Sequence, residues 1–153
     1  MRINKNMKNI IYEQVESLPS NLVNGYQDDT NHENSASNLY WSKIKLLALH
    51  QDNPIGFICG DYSANGRIIE TKGLYVDSDF RENGIGSKLV SRFILKAKKE
   101  KLNGLDLDFI VSKTSSILDA LKEKYKNNSW LKIWEFWRDS DDELPCGRVR
   151  FNY

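Results

Sequence analysis

The stretch that most restricts the fold runs from Arg67 to Leu102, where the spacing of apolar residues changes across a turn with two glycines. Arg67 to Val76 reads as a strand. Beyond Gly84, residues Leu89, Val90, Phe93, Ile94 and Ala97 recur at three and four positions, with Lys88, Arg92, Lys96, Lys99 and Lys101 mostly on the other side. That spacing predicts an amphipathic helix over about Gly84 to Leu102, and Asn103-Gly104 is its expected left-handed stop. At a junction of this kind the first N–H groups of the helix lack internal partners and point at one spot, where the helix dipole adds positive potential. Phosphate suits such a spot, and a side chain at Gly84 or Gly86 would hold it away. Glycines at helix starts also close ordinary turns, so Gly-x-Gly alone does not decide between the two. The dinucleotide fingerprint G-x-G-x-x-G fits badly, because position 89 is Leu and the upstream strands form a meander.

Around this junction the chain reads as a regular alternation of elements. Asn9 to Glu16 is a short strand ended by Leu18-Pro19-Ser20, and Ser20 caps a short helix through Leu22, Val23 and Tyr26. Gln27 to Asn38 is almost wholly polar and is expected as a loop or a poorly ordered helix. Lys43 to His50 and Ile55 to Cys59 form a hairpin through Gln51-Asp52-Asn53-Pro54, and Ser63-Ala64-Asn65-Gly66 turns the chain into Arg67 to Val76. After the long helix come a strand through Leu105, Leu107, Phe109 and Val111, and a helix opened by Ser115 or Ser116 with Leu118, Leu121 and Tyr125 on one face. Strands over Trp130 to Arg138 and Gly147 to Tyr153 complete the chain. Strands in a meander followed by β-α-β crossovers predict an α/β fold: a mixed, mostly antiparallel central sheet with helices on both faces.

The 153 residues fit one domain, 1–153. With 22 Lys plus Arg against 21 Asp plus Glu the net charge is +1, which gives no general pull toward nucleic acid. No apolar run is long enough to span a bilayer and Met1 to Asn9 lacks the apolar centre of a signal peptide, so no membrane association and a cytoplasmic location are expected. Cys59 and Cys146 belong to no Cys/His ligand pattern, and His32 and His50 stand far apart. Free thiols and no metal are expected.

Arg81-Glu82-Asn83-Gly84-Ile85-Gly86-Ser87-Lys88-Leu89 resembles the acyl-CoA pyrophosphate loop of the GNAT acetyltransferases, whose pattern is Arg or Gln, two residues, Gly, one residue, Gly or Ala. The resemblance extends to the order of elements over Ile10 to Tyr153, although the sharp motif occupies only Leu74 to Leu89. It implies acetyl-CoA as co-substrate, without a metal, and a sheet whose fourth and fifth strands splay apart at a bulge to admit the pantetheine. The implied pyrophosphate contacts fall on Arg81, Glu82, Asn83, Gly84, Ile85, Gly86 and Ser87, mostly through backbone N–H groups, with Arg81 using its amide, its guanidinium or both. Main-chain pairing with the pantetheine falls on Tyr75 and Val76, in the manner of an added strand. Lys88 and Arg92 either add charge toward the phosphates or form a solvated helix face.

The resemblance implies an acetyl-CoA-dependent N-acetyltransferase acting by direct transfer on a primary amine of a small molecule or polypeptide. An attacking amine must lose a proton, and Glu70, eleven residues before Arg81, has the spacing of the catalytic glutamate in histone-type members. Strict alternation puts Glu70, Lys72 and Leu74 on one side of the strand and Ile69, Thr71 and Gly73 on the other; the plain alternative pairs Glu70 with Lys72 or Arg67. Tyr125 is the corresponding candidate acid for the departing thiolate, or else a core residue spaced with Leu118 and Leu121. Here the chain departs from the family, with Lys113, Thr114, Ser115 or Ser116 in place of an Asn and Tyr125-Lys-Asn-Asn-Ser-Trp130 in place of Tyr-x-x-x-Gly-Phe. That departure keeps open a non-catalytic CoA-binding sensor or interaction module. The acceptor region is expected between Leu18 and Trp41 and between Arg138 and Arg148, where Asp28, Asp29, Glu33, Asp139, Asp141, Asp142 and Glu143 either attract a cationic amine or are simply solvated. Pairing through the late strands makes a homodimer the expected assembly if one forms.

Overall fold

The computed structural model describes residues 9–30, 39–107, 114–136 and 146–152. The elements run β1 (Ile10–Gln14), α1 (Ser20–Thr30), β2 (Ile44–His50), β3 (Asn53–Tyr62), β4 (Ile68–Val76), a 3-10 turn (Ser78–Phe80), α2 (Ile85–Lys99), β5 (Gly104–Leu107), α3 (Thr114–Lys124), β6 (Leu131–Phe136) and β7 (Cys146–Phe151). This is the succession that the apolar spacing predicts. The seven strands form one sheet in the order β1-β2-β3-β4-β5-β7-β6. Every neighbouring pair is antiparallel except β4 and β5, which are parallel because α2 carries the chain back across the sheet.

Alternation along the strands divides the core into two layers. In β3, Phe57 and Cys59 pack with Leu22, Val23 and Tyr26 of α1, whereas Ile58 packs with Leu89 and Phe93 of α2 and Leu118 and Leu121 of α3. Helices therefore cover both faces, as expected. Phe57 and Phe93, one in each layer, are the largest side chains fully removed from water, and burial of each contributes about 2 kcal/mol.

Several boundaries differ from the sequence expectation for identifiable reasons. Gln51 and Asp52 both adopt left-handed backbone, φ 50° and 64°, and make a two-residue turn by themselves, so Asn53 and Pro54 already belong to β3. Helix α2 ends at Lys99, and Lys101 (φ 59°) rather than Asn103-Gly104 supplies the left-handed stop. The N–H of Lys101 bonds to Lys98 O at 3.1 Å and that of Leu102 to Ala97 O at 3.0 Å, a Schellman closure. Gly104 instead opens β5, where a Cβ would collide with the Val149 carbonyl. Strand β7 begins at Cys146, one residue before the expected Gly147. Phe109 and Val111, His32, the acidic residues at 139–143, Arg138 and Tyr153 lie outside the described residues.

Strict alternation fails at two places on the described residues, at Ile55 in β3, which stands between the partners of Ala48 and Leu49, and at Lys72 in β4. Cys59 stands opposite Gly73, but Gly60 stands opposite Thr71, so Lys72 is an extra residue in β4. Ile69 and Leu74 consequently lie in the same α2 and α3 layer although five positions separate them, while Tyr75 packs in the α1 layer. The expected grouping of Glu70, Lys72 and Leu74 on one face is thus corrected: Glu70 and Leu74 serve opposite faces. Among the described residues no helix is long and apolar enough to cross a membrane.

Candidate active site

The site is built where β4 meets α2. Gly84 caps the helix in left-handed backbone (φ 78°) without a side-chain cap, and the first intrahelical bond is Lys88 N–H to Gly84 O at 3.0 Å. The amides of Ile85, Gly86 and Ser87 therefore precede the hydrogen-bond ladder, at the positive end of the dipole. No acidic residue stands in that first turn. Glu82 is also left-handed (φ 65°), and the Asn83 side-chain amide donates to Phe80 O at 3.1 Å and Arg81 O at 3.0 Å. Asn83 thus holds the loop in the conformation that turns these amides outward.

The two glycines have different reasons. Gly84 needs its backbone conformation. Gly86 does not: a Cβ there would meet Ile117 Cδ1 at 3.5 Å and Leu74 and Val76 methyls at 3.9 Å, all ordinary contacts.

A cleft of about 650 Å³ opens beside these amides, walled by Leu74, Tyr75 and Val76 of β4, Tyr26 and Asp29 of α1, and Ile117 of α3. On the described residues β4 pairs with β5 from Ile68 to Thr71, and the cleft lies along the continuation of β4 from Leu74 to Val76. Asp77 N–H bonds to Ile55 O at 2.7 Å, and alternation from there turns the main chain of Tyr75 toward Phe57 of β3 and that of Leu74 and Val76 toward the cleft. Of the two residues expected to offer main-chain pairing, Val76 has that orientation, whereas Tyr75 contributes its ring. Burial raises the Tyr75 phenol above its ordinary range against the opposing pull of Arg81.

Arg81 is held from three sides. Its Nε donates to Val76 O at 2.8 Å, its Nη2 pairs with the Asp29 carboxylate, and its guanidinium lies 5.3 Å from the Tyr75 ring centre. The guanidinium is thereby part of the cleft wall, which ties α1 to the loop.

Glu70 lies on the α1 side of β4, with its carboxylate 3.1 Å from Lys72 Nζ; it does not line the cleft. Tyr125 is not brought to the cleft either. Its buried hydroxyl is 2.6 Å from Ser91 Oγ, and its ring meets Trp130 edge-on at 5.9 Å, filling the seam between α2 and α3. Arg92 lies over the Tyr12 ring at 5.2 Å, on β1 and away from the loop. Cys59 is fully buried, and burial pushes its thiol up to about 12, so it is no nucleophile at neutral pH. Among the described residues no group of His, Cys, Asp and Glu could hold a metal ion.

Tyr26 and Ile117 reach the cleft from helices without any local motif, and sequence reasoning missed them. Burial pushes the Tyr26 phenol up to about 12, and its hydroxyl donates to Lys72 O at 3.3 Å, at the bulge. The one available signal was Gly25, a glycine inside a helix, where a Cβ would collide with the Tyr75 hydroxyl.

The acetyltransferase (GNAT) domain family matches residues 30–128. No curated protein matches the sequence significantly. Among solved structures, an IAA acetyltransferase from Bacillus cereus is similar over 94% of this chain and 100% of its own, with a TM-score of 0.66 and 16% identity. A GNAT family acetyltransferase from Elizabethkingia anophelis with acetyl-CoA bound aligns over 94% and 97%, with a TM-score of 0.61 and 17% identity. A Bacillus subtilis acetyltransferase in complex with CoA aligns over 94% and 97%, with a TM-score of 0.64 and 12% identity. At these identities the structural likenesses speak to the fold alone. The family match spans most of the chain, including the whole strand-turn-helix junction, and on that ground the chain belongs to the GNAT acetyltransferase domain family.

Proposed function

We propose that the protein transfers an acetyl group from acetyl-CoA to a primary amine by direct attack. The observation that carries this reading is Gly86. The protein's own packing leaves room for a Cβ there, so the glycine is explained by a ligand that must approach the helix amides closely. In this reading the pyrophosphate rests on the amides of Ile85, Gly86 and Ser87, and the pantetheine follows the main chain of Val76 along the cleft. The amine nitrogen bonds to the thioester carbon, the tetrahedral intermediate collapses with cleavage of the C–S bond, and CoA leaves as the thiolate, which takes a proton from solvent. Glu70 takes the proton that the amine loses, directly or through water. Cys59, buried and protonated, plays no part.

A second reading has a specific observation in its favour. Glu70 is bonded to Lys72, and the Tyr125 hydroxyl is bonded to Ser91, which suits a CoA-binding sensor without turnover. Calorimetric titration with acetyl-CoA, beside Gly84→Glu, tests the donor site; tight binding by the wild type and its loss in the variant are expected. CoA release with a panel of amines then separates the readings. Turnover that falls about a hundredfold or more in Glu70→Gln supports transfer, whereas tight binding with no release for any amine favours the sensor.

A further inference from the structure

We infer that Tyr26 of α1 sets the length of the acyl group that the donor can carry, admitting acetyl and turning away longer chains. The inference rests on the reading of the cleft as the donor site and deepens it by naming the substrate class on the acyl side.

The direction of the donor follows from the two ends of the cleft. With the pyrophosphate on the amides of Ile85, Gly86 and Ser87, the arm that pairs with Val76 runs back along β4, past Leu74 and toward Lys72. At about 3.3 Å per residue, Val76 to Lys72 is a path of about 13 Å. Tyr26 stands at its far end: it lines the cleft, and its hydroxyl donates to Lys72 O at 3.3 Å. The thioester end of the arm, and any carbon added to the acyl group, is therefore directed at this side chain.

Tyr26 is held in place. Only 3% of its surface is exposed, its ring meets Phe57 edge-on at 6.0 Å, and it packs with Leu22 and Val23 in the α1 layer. The residue before it fixes the helix as well. A Cβ at Gly25 would collide with the Tyr75 hydroxyl, so the missing side chain is what lets α1 come close enough to β4 for Tyr26 to reach Lys72.

Across the cleft Leu74 and Ile117 supply apolar walls, which suit a hydrocarbon tail. A methyl rests against such walls without moving them. Each further methylene must displace a ring that is packed on its other side, and a close-packed site resists added methylenes. The phenol thus acts as a stop whose position is set by the carbonyl of Lys72 on one side and the ring of Phe57 on the other.

The test titrates the full chain calorimetrically, without any amine, using CoA and then acetyl-, propionyl-, butyryl- and hexanoyl-CoA. Acetyl-CoA is expected to bind at least as tightly as CoA, and hexanoyl-CoA about tenfold or more weakly than acetyl-CoA. In Tyr26→Leu hexanoyl-CoA is expected to regain that factor while acetyl-CoA affinity stays nearly unchanged. Should that variant fail to fold, Tyr26→Met serves in its place, since a thioether chain keeps apolar volume and still gives way. Affinity that does not fall with chain length in the wild type overturns the inference, as does a fall that persists in a folded Tyr26→Leu or Tyr26→Met. Failure to bind CoA itself removes the donor reading and this inference with it, whereas tight CoA binding that ignores the acyl chain removes this inference alone.

Discussion

The guanidinium of Arg81 joins the Asp29 carboxylate of α1 to the carbonyl of Val76 at the end of β4. A donor that pairs with the main chain of Val76 therefore competes with Arg81 Nε, and a guanidinium set free in that exchange stands within one turn of the α2 amides. Asp29 works against the exchange, since it holds Arg81 back and adds negative charge near an incoming pyrophosphate. Asp29→Asn is expected to tighten acetyl-CoA by about threefold at low salt, a gain that shrinks as salt rises. Calorimetry at two ionic strengths reads this out, and unchanged or weaker binding would show that the guanidinium stays where it is.

Gly86→Ala separates a ligand requirement from a folding requirement. The added methyl meets only ordinary contacts and replaces the poorest ordinary helix former, so thermal stability should hold or rise slightly. Acetyl-CoA affinity should nevertheless fall by about tenfold or more, because the methyl stands between the pyrophosphate and the helix amides. A stable variant with undiminished affinity would remove the main support for the donor site.

The Tyr62 hydroxyl lies 2.6 Å from Glu100 Oε1. This bond to Glu100, aided by burial, pushes the phenol up to about 12 from an ordinary 10.0. Burial pulls the Glu100 carboxyl upward, but the bonds from Tyr62 and Lys96 outweigh it and leave the group below its ordinary 4.5. A raised tyrosine stabilises fully below its unfolded value and loses that contribution as pH climbs from about 10 to 12; a depressed carboxylate stabilises above about 4.5 and loses its contribution as pH falls through its lowered folded value. Wild type and Tyr62→Phe should accordingly differ in melting temperature at neutral pH and converge toward both extremes. A difference that stays constant across the range would exclude the linkage.

Thr71 Oγ1 is buried with no hydrogen-bond partner among the described residues. Thr71→Val keeps the shape and removes the unsatisfied hydroxyl, so it should stabilise the protein by about 1 kcal/mol. For a chain of this size that is a rise of about 2–4 °C in melting temperature. A fall would reveal a partner for the hydroxyl, such as bound water.

Much of this architecture could be read from the chain because local chemistry and global topology agree. The two-residue and 3.6-residue periods located β2, β3, β4 and α2, and Leu118 and Leu121 identified the buried face of α3. Turn chemistry was less legible: Gln51, Asp52 and Lys101 take left-handed backbone that Asn or Gly more often supplies, so Asn53-Pro54 and Asn103-Gly104 drew the boundaries instead. The phosphate-type turn was legible because its requirements are local. The pairing of Glu70 with Lys72, two residues along the same strand, was among the alternatives the sequence offered, whereas the partners of Tyr125 and Arg81 come from other elements, Ser91 on α2 and Asp29 on α1. No spacing rule within one segment reports such pairings.

The extra residue at Lys72 shifts the count along β4 without turning the strand over. Without it Glu70 and Leu74 would stand three positions apart, and plain alternation would still set them on opposite faces. Deleting Lys72 would leave Thr71 and Gly73 as neighbours opposite Gly60 and Cys59, restoring an unbroken ladder with the Tyr75 ring still beneath α1 and Leu74 still beneath α2. What the insertion supplies is local: a carbonyl at the break in the ladder, which the Tyr26 hydroxyl of α1 meets at 3.3 Å, so the helix is keyed to the strand at the one point where a regular edge would offer it nothing.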